Sequence, residues 1–146
     1  MEELTAADIR LIRQSFRTVV AHQQELTRLF YDKLFEVDPS LRQLFQIDSQ
    51  ATQSKFMRML AIFVSLMEDT TQLQDHAAKL GQRHVQYGVQ PTYFDSSESA
   101  LLWSLEKILG KRFTGPTRSA WYRLHQNIRI AATNPDQYHN GNAVGA

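Results

Sequence analysis

No cysteine occurs anywhere in the 146 residues, which excludes disulfides, thiolate zinc sites, iron–sulfur clusters and covalent haem attachment through a C-x-x-C-H motif. Long apolar runs are missing too. None approaches the roughly 20 residues of a membrane-spanning helix, and the acidic start Met1-Glu2-Glu3 is unlike a signal peptide. No membrane association is expected, and the cytoplasm is the expected compartment. Charge is nearly balanced at +1, with 16 Lys and Arg against 15 Asp and Glu spread along the chain. Without a basic patch to meet phosphates, no nucleic acid partner is expected. There is no period-2 alternation of the kind strands show, no internal repeat, no interdomain linker and no G-x-G-x-x-G fingerprint for a flavin or nicotinamide nucleotide.

What is present is helical periodicity. A chain this long can bury roughly 68–70% of its unfolded surface, and its 42% hydrophobic residues suit a single globular domain. Thr5-Ala6-Ala7-Asp8 reads as a capping box with Asp in the place of Glu. The helix it opens presents Ile9, Ile12, Phe16 and Val20 inward. A second helix carries Leu26, Leu29, Phe30, Tyr31, Leu34 and Phe35 and stops before Asp38-Pro39, because the residue preceding proline avoids helical angles. A turn over Pro39 to Phe45 and a polar connector, Ile47 to Gln50, follow. A helix from about Ala51 to Glu68 buries Phe56, Met59, Leu60, Phe63 and Met67, and Asp69-Thr70-Thr71 breaks it. After Pro91, a helix ending at Gly110 turns Phe94, Leu101, Leu105 and Ile108 inward. The last one starts at Thr114-Gly115-Pro116, buries Ala120, Trp121, Leu124, Ile128 and Ala131, and ends at Asn134-Pro135. The pattern predicts an all-α domain of about seven helices over residues 1–135, with residues 136–146 a disordered tail.

The chemistry concentrates at the end of one helix. Leu73, Ala77, Leu80 and His84 are spaced by four, three and four residues and share a face that is apolar until its last member. Gly88 and then Pro91 end that helix. A histidine in this position is either a core imidazole bonded to backbone or a metal ligand that presents a neutral nitrogen in a dry pocket.

The order of a Phe-rich second helix, Asp38-Pro39, Leu44-Phe45, Lys55-Phe56-Met57, Leu80-Gly81-Gln82-Arg83-His84 and Ala120-Trp121 resembles a bacterial single-domain globin. It is similar to the haem domain of flavohaemoglobins from about Ile9 to Ala132. Each motif is short, but several in this order at this spacing are specific. The resemblance implies a three-over-three helical sandwich holding haem b non-covalently, with His84 as the iron ligand. It also implies that Phe45 packs on the porphyrin, that Phe56 and Leu60 form an apolar distal wall, and that Leu80, Val89 and Phe94 line the proximal side. Tyr31 matches a tyrosine that points at the iron-bound ligand. His84 is expected to donate its other ring nitrogen to a carbonyl one turn earlier, that of Leu80. His22, His76, His125 and His139 match no haem position and read as solvated or capping residues.

Three features depart from that pattern. No histidine lies between Phe45 and Glu68, so the distal position falls on Thr52 or on Gln53. A slip of one residue turns a helix by about 100°, so both cannot face the iron. Flavohaemoglobins support the proximal histidine with a tyrosine and a glutamate. Here Phe94 takes the tyrosine position and the last helix offers no matching glutamate. Flavin and nicotinamide domains are absent from the chain. The implied function is reversible binding of O₂, CO or NO at a pentacoordinate haem. A Tyr31 hydroxyl would favour O₂, whose bound form carries partial negative charge. The alternative is a nitric oxide dioxygenase served by a separate reductase. A third possibility is a haem-free interaction module on the same fold.

Overall fold

The computed structural model describes residues 3–44 and 50–133. Its α-helices are α1 (Ala6–Ala21), α2 (Gln23–Val37), α3 (Gln50–Leu66), α4 (Thr70–Gln86), α5 (Tyr93–Leu109) and α6 (Gly115–Ala132). A six-residue 3-10 helix, Pro39–Leu44, completes the expected seven, and a single 3-10 turn, Gly110–Arg112, follows α5. No strand occurs among the described residues. Phe45, the connector at 47–49 and the proposed tail lie outside them.

Local chemistry sets the helix ends. Thr5 accepts from the Asp8 N–H while Asp8 accepts from the Thr5 N–H, both at 3.0 Å, so the capping box forms as expected. Asp69 caps α4 through the Gln72 N–H at 3.1 Å. Thr70 and Thr71 therefore belong to α4, and α3 ends at Leu66, two residues before the expected Glu68. Gly88 follows α4 at φ 82°, a left-handed conformation that glycine adopts without a Cβ penalty. Thr114 caps α6, with Pro116 in its first turn.

In the packing, α2 lies along α5, while α1 and α4 both lie against α6. The layers α1, α3, α4 and α2, α5, α6 make the expected three-over-three sandwich. Trp121 of α6 is fully buried at the centre, and its Nε1–H donates to Ser15 Oγ at 2.8 Å. That bond accounts for a correction to α1. Its buried face is Asp8, Ile12, Ser15 and Val19, while Val20 is 43% exposed and Ile9 and Phe16 are half-buried. The helix is turned so that two polar side chains, each with a partner on α6, face inward. Leu29 and Ile108, also expected inside, are half-buried.

Asp8 is the other of these polar side chains. It is almost wholly buried, holds the α1 cap, and accepts from Arg123 of α6 at 2.8 Å. A charge-assisted bond of this kind contributes about 1.5–3 kcal/mol. Asp8→Ala is expected to lower Tm by roughly 3–12 °C, at about 2–4 °C per kcal/mol for a domain of this size. A calorimetric Tm within 1 °C of the parent would show that the pair contributes nothing.

Candidate functional site

Between the layers runs a narrow, mostly apolar cleft of about 40 Å³. Phe30 and the α3 face Phe56, Met59, Leu60 and Phe63 form one wall. Phe30 and Phe56 stack with ring centroids 4.3 Å apart. Leu80 and His84 from α4, with Tyr93, Phe94, Ser97 and Leu101 from α5, form the opposite wall. Trp121, Leu124, His125 and Ile128 of α6 close the deep end.

The expected stripe on α4 is present: Leu73, Ala77 and Leu80 are buried, and His84 closes it half-buried. His84 Nδ1 lies 2.7 Å from the Leu80 carbonyl oxygen. A carbonyl only accepts, so Nδ1 carries the proton and Nε2 is left with a lone pair. Burial pushes the imidazole below its ordinary pKa and so favours the neutral form, against the opposing pull of the Leu80 carbonyl, which favours the charged one. Tyr93 and Phe94 pack on the ring, with centroids at 5.2 and 5.9 Å. Beyond Gly88, Val89 is buried and donates its N–H to the His84 carbonyl at 2.9 Å.

On α3, Phe56 and Leu60 both line the cleft. Thr52, one turn before Phe56, is half-buried, whereas Gln53 is exposed and borders the outer groove between α2 and α3. Tyr31 is buried beside the cleft rather than on its surface. Its ring lies edge-on to Phe30 and Phe56 at 5.3 and 5.9 Å, with Phe35 stacked behind it. Burial, and then the neighbouring Tyr93 phenol, raise its pKa far above the ordinary value, so the hydroxyl keeps its proton and remains a donor.

The remaining histidines are less uniform than expected. His22 is exposed at the junction of α1 and α2, His76 is half-buried edge-on to Phe63, and His139 lies outside the described residues. His125 is the correction: it is buried at the deep end of the cleft, where desolvation holds its pKa down to about 4. The signal for it was present in the sequence. His125 falls four residues after Trp121 and three before Ile128, on the face already read as buried. Tyr93 and Ser97, four before Leu101 in the case of Ser97, were passed over for the same reason: polar side chains on an apolar stripe draw less notice.

A haem fits these residues. Among the described residues no group of three or more His, Asp or Glu side chains is placed to hold a metal ion, so iron bound at His84 must bring its other ligands with it. The aromatic and aliphatic lining of the two walls suits the faces of a flat apolar group.

The Globin family model matches residues 28–131, a span that runs from within α2 to the last turn of α6 and contains every residue lining the cleft. The chain belongs to the globin family. Its relatives include a neuroglobin of Chaenocephalus aceratus, 30% identical with 97% of each chain covered. Neuroglobin-2 of Oncorhynchus mykiss is 29% identical over the same shares. As a globin, the chain is of a family that typically binds haem and diatomic gases. No helix among the described residues is long and apolar enough to cross a membrane.

Proposed function

We propose that this globin holds haem b non-covalently through His84 Nε2 and binds O₂, CO and NO reversibly. The observation that carries it is the 2.7 Å bond from His84 Nδ1 to the Leu80 carbonyl, on a side chain that lines an apolar cleft. Bound haem supplies an iron centre with an open sixth position for a diatomic gas. The protein's part is to fix the imidazole, to keep water out with Phe30, Phe56 and Leu60, and to offer a donor. Leu80, Val89 and Phe94 support the His84 side, and Phe45 is assigned to the porphyrin edge by resemblance. Tyr31 is the assigned donor. Thr52 is assigned to the distal position in preference to Gln53, a choice supported by its half-burial and its place on the Phe56–Leu60 face of α3.

Titration of the purified chain with haem should give one-to-one binding and the absorption spectrum of a nitrogen-ligated haem. A featureless free-haem spectrum would overturn the assignment. In the loaded protein, Tyr31→Phe removes one hydroxyl with little loss of packing. A hydrogen bond to a charge-bearing acceptor contributes about 1.5–3 kcal/mol, so O₂ release should speed up roughly ten- to a hundredfold. CO, which carries less charge, should change far less. Equal acceleration of both gases would show that Tyr31 acts on the pocket by packing alone.

A further inference from the structure

Where the α5 wall of the cleft meets α6, Tyr93, Ser97 and His125 interrupt an otherwise apolar lining, and Glu98 lies beside His125. Tyr93, the first residue of α5, is buried and hydrogen-bonded through its side chain to Ser97, one turn on. Ser97 Oγ lies 3.4 Å from His125 Nε2 of α6. His125 is more than nine-tenths buried, and its Nδ1 is without a hydrogen-bond partner, 3.9 Å from Glu98 Oε2. Glu98 is itself held by Gln126 of α6.

The chemistry orients this array. A neutral imidazole has one N–H. If that proton were on Nε2, the Nδ1 lone pair would face a carboxylate oxygen, two acceptors repelling each other across a buried gap. With the proton on Nδ1, the N–H points toward Glu98 across 3.9 Å, and Ser97 Oγ, 3.4 Å from Nε2, joins His125 of α6 to the Tyr93 side chain. The other end of the path is the Tyr93 ring, whose face packs at 5.2 Å and 39° on the His84 imidazole.

We propose that Glu98, His125 and Ser97 are positioning residues that hold Tyr93 against His84, so that α6 sets the plane of the imidazole and with it the strength of the His84–iron bond. The proposal rests on the assignment of His84 as the haem ligand. A tyrosine fixed only by packing can rock about its χ angles. One tethered through its hydroxyl keeps a single ring plane, and the imidazole against it has one plane to adopt. His84 is anchored at Nδ1 by a single carbonyl about which it can still rotate, so the rings packed on it, Tyr93 at 5.2 Å and Phe94 at 5.9 Å, decide the remaining freedom.

The test uses the full haem-loaded ferrous protein and the histidine–iron stretching band in resonance Raman spectra. The parent should give one narrow band. Ser97→Ala and Tyr93→Phe should each shift or split it, and His125→Phe should do the same. His125→Gln, whose amide can still meet Ser97, should restore the single band. Restoration by glutamine separates a hydrogen-bonded array from a space-filling imidazole. In the haem-free chain, the NMR cross-peak between the Tyr93 and His84 rings should weaken in Ser97→Ala. An unchanged band in Ser97→Ala, at parental haem content and Tm, overturns the clamp even if His125→Phe proves too disruptive to fold. A parent with no histidine–iron band overturns the His84 assignment itself, and the clamp with it.

Discussion

His84→Ala should leave a folded chain that no longer holds haem with a histidine-ligated spectrum. The side chain is half-buried and ends its helical stripe rather than filling the core, so its removal opens a small hollow beside Tyr93 and Phe94 without disturbing Trp121 or the α2–α5 packing. Helical circular dichroism of the haem-free variant should match the parent. Haem affinity should behave differently. Losing a supporting group around a metal ligand costs about 10–100-fold, so losing the ligand itself should cost more than about a hundredfold. Apolar burial in the cleft would leave weak, five-coordinate or water-ligated binding. Added imidazole is the decisive control, because it can enter the hollow and supply the missing nitrogen. Return of the parental spectrum with imidazole assigns the role to the ring. Parental haem content and spectrum in the variant without it would remove His84 from the site.

Much of this architecture was legible because apolar spacing and capping residues are local signals. Thr5, Asp8, Asp69 and Thr114 lie at helix starts for reasons a few residues long. His84 was legible because the stripe Leu73–Ala77–Leu80 points at it, and its Leu80 bond follows from i to i+4 geometry. What escaped notice depended on contacts distant in the chain. Ser15 turns inward for Trp121, 106 residues away, and Asp8 for Arg123, 115 residues away. Those two bonds rotate α1 away from its most apolar face. His125 reads as a surface residue by type, and its burial becomes intelligible only when Ser97 and Glu98 of α5 are placed across from it. The choice between Thr52 and Gln53 turns on a 100° rotation that no local pattern fixes. In the structure Phe56 and Leu60 line the cleft, Thr52 is half-buried one turn before them, and Gln53 is exposed.

Gly81 carries the other large expected effect, and the sequence motif gives no reason for it. In a solvent-exposed helix interior, Gly→Ala stabilises by up to about 1 kcal/mol, since alanine has less backbone freedom to lose. At Gly81 the sign should reverse. A Cβ built there would stand 2.0 Å from the Ala132 carbonyl oxygen and 2.8 and 2.9 Å from its C and Cα. All three are backbone atoms, so no rotamer change relieves the clash. Helix α4 would have to withdraw from α6 by about 1.5 Å to reach ordinary contact distance, and a gap of even 0.5–1 Å forfeits a quarter to a half of the dispersion energy of each facing pair. Overpacking costs typically 1–3 kcal/mol and occasionally more. With the whole α4–α6 contact at stake, Gly81→Ala should lose about 3 kcal/mol or more, net of the propensity gain. That corresponds to a fall in Tm of roughly 6–12 °C. Gln82→Ala, on the exposed side of the same turn, is the control and should stay within about 0.5 kcal/mol. The effect should reach the cleft as well, because His84 lies three residues further along α4. Haem-loaded Gly81→Ala should therefore show a broadened histidine–iron band at temperatures where it is still folded. A Tm equal to or above the parent's would mean that α4 and α6 do not approach at Gly81.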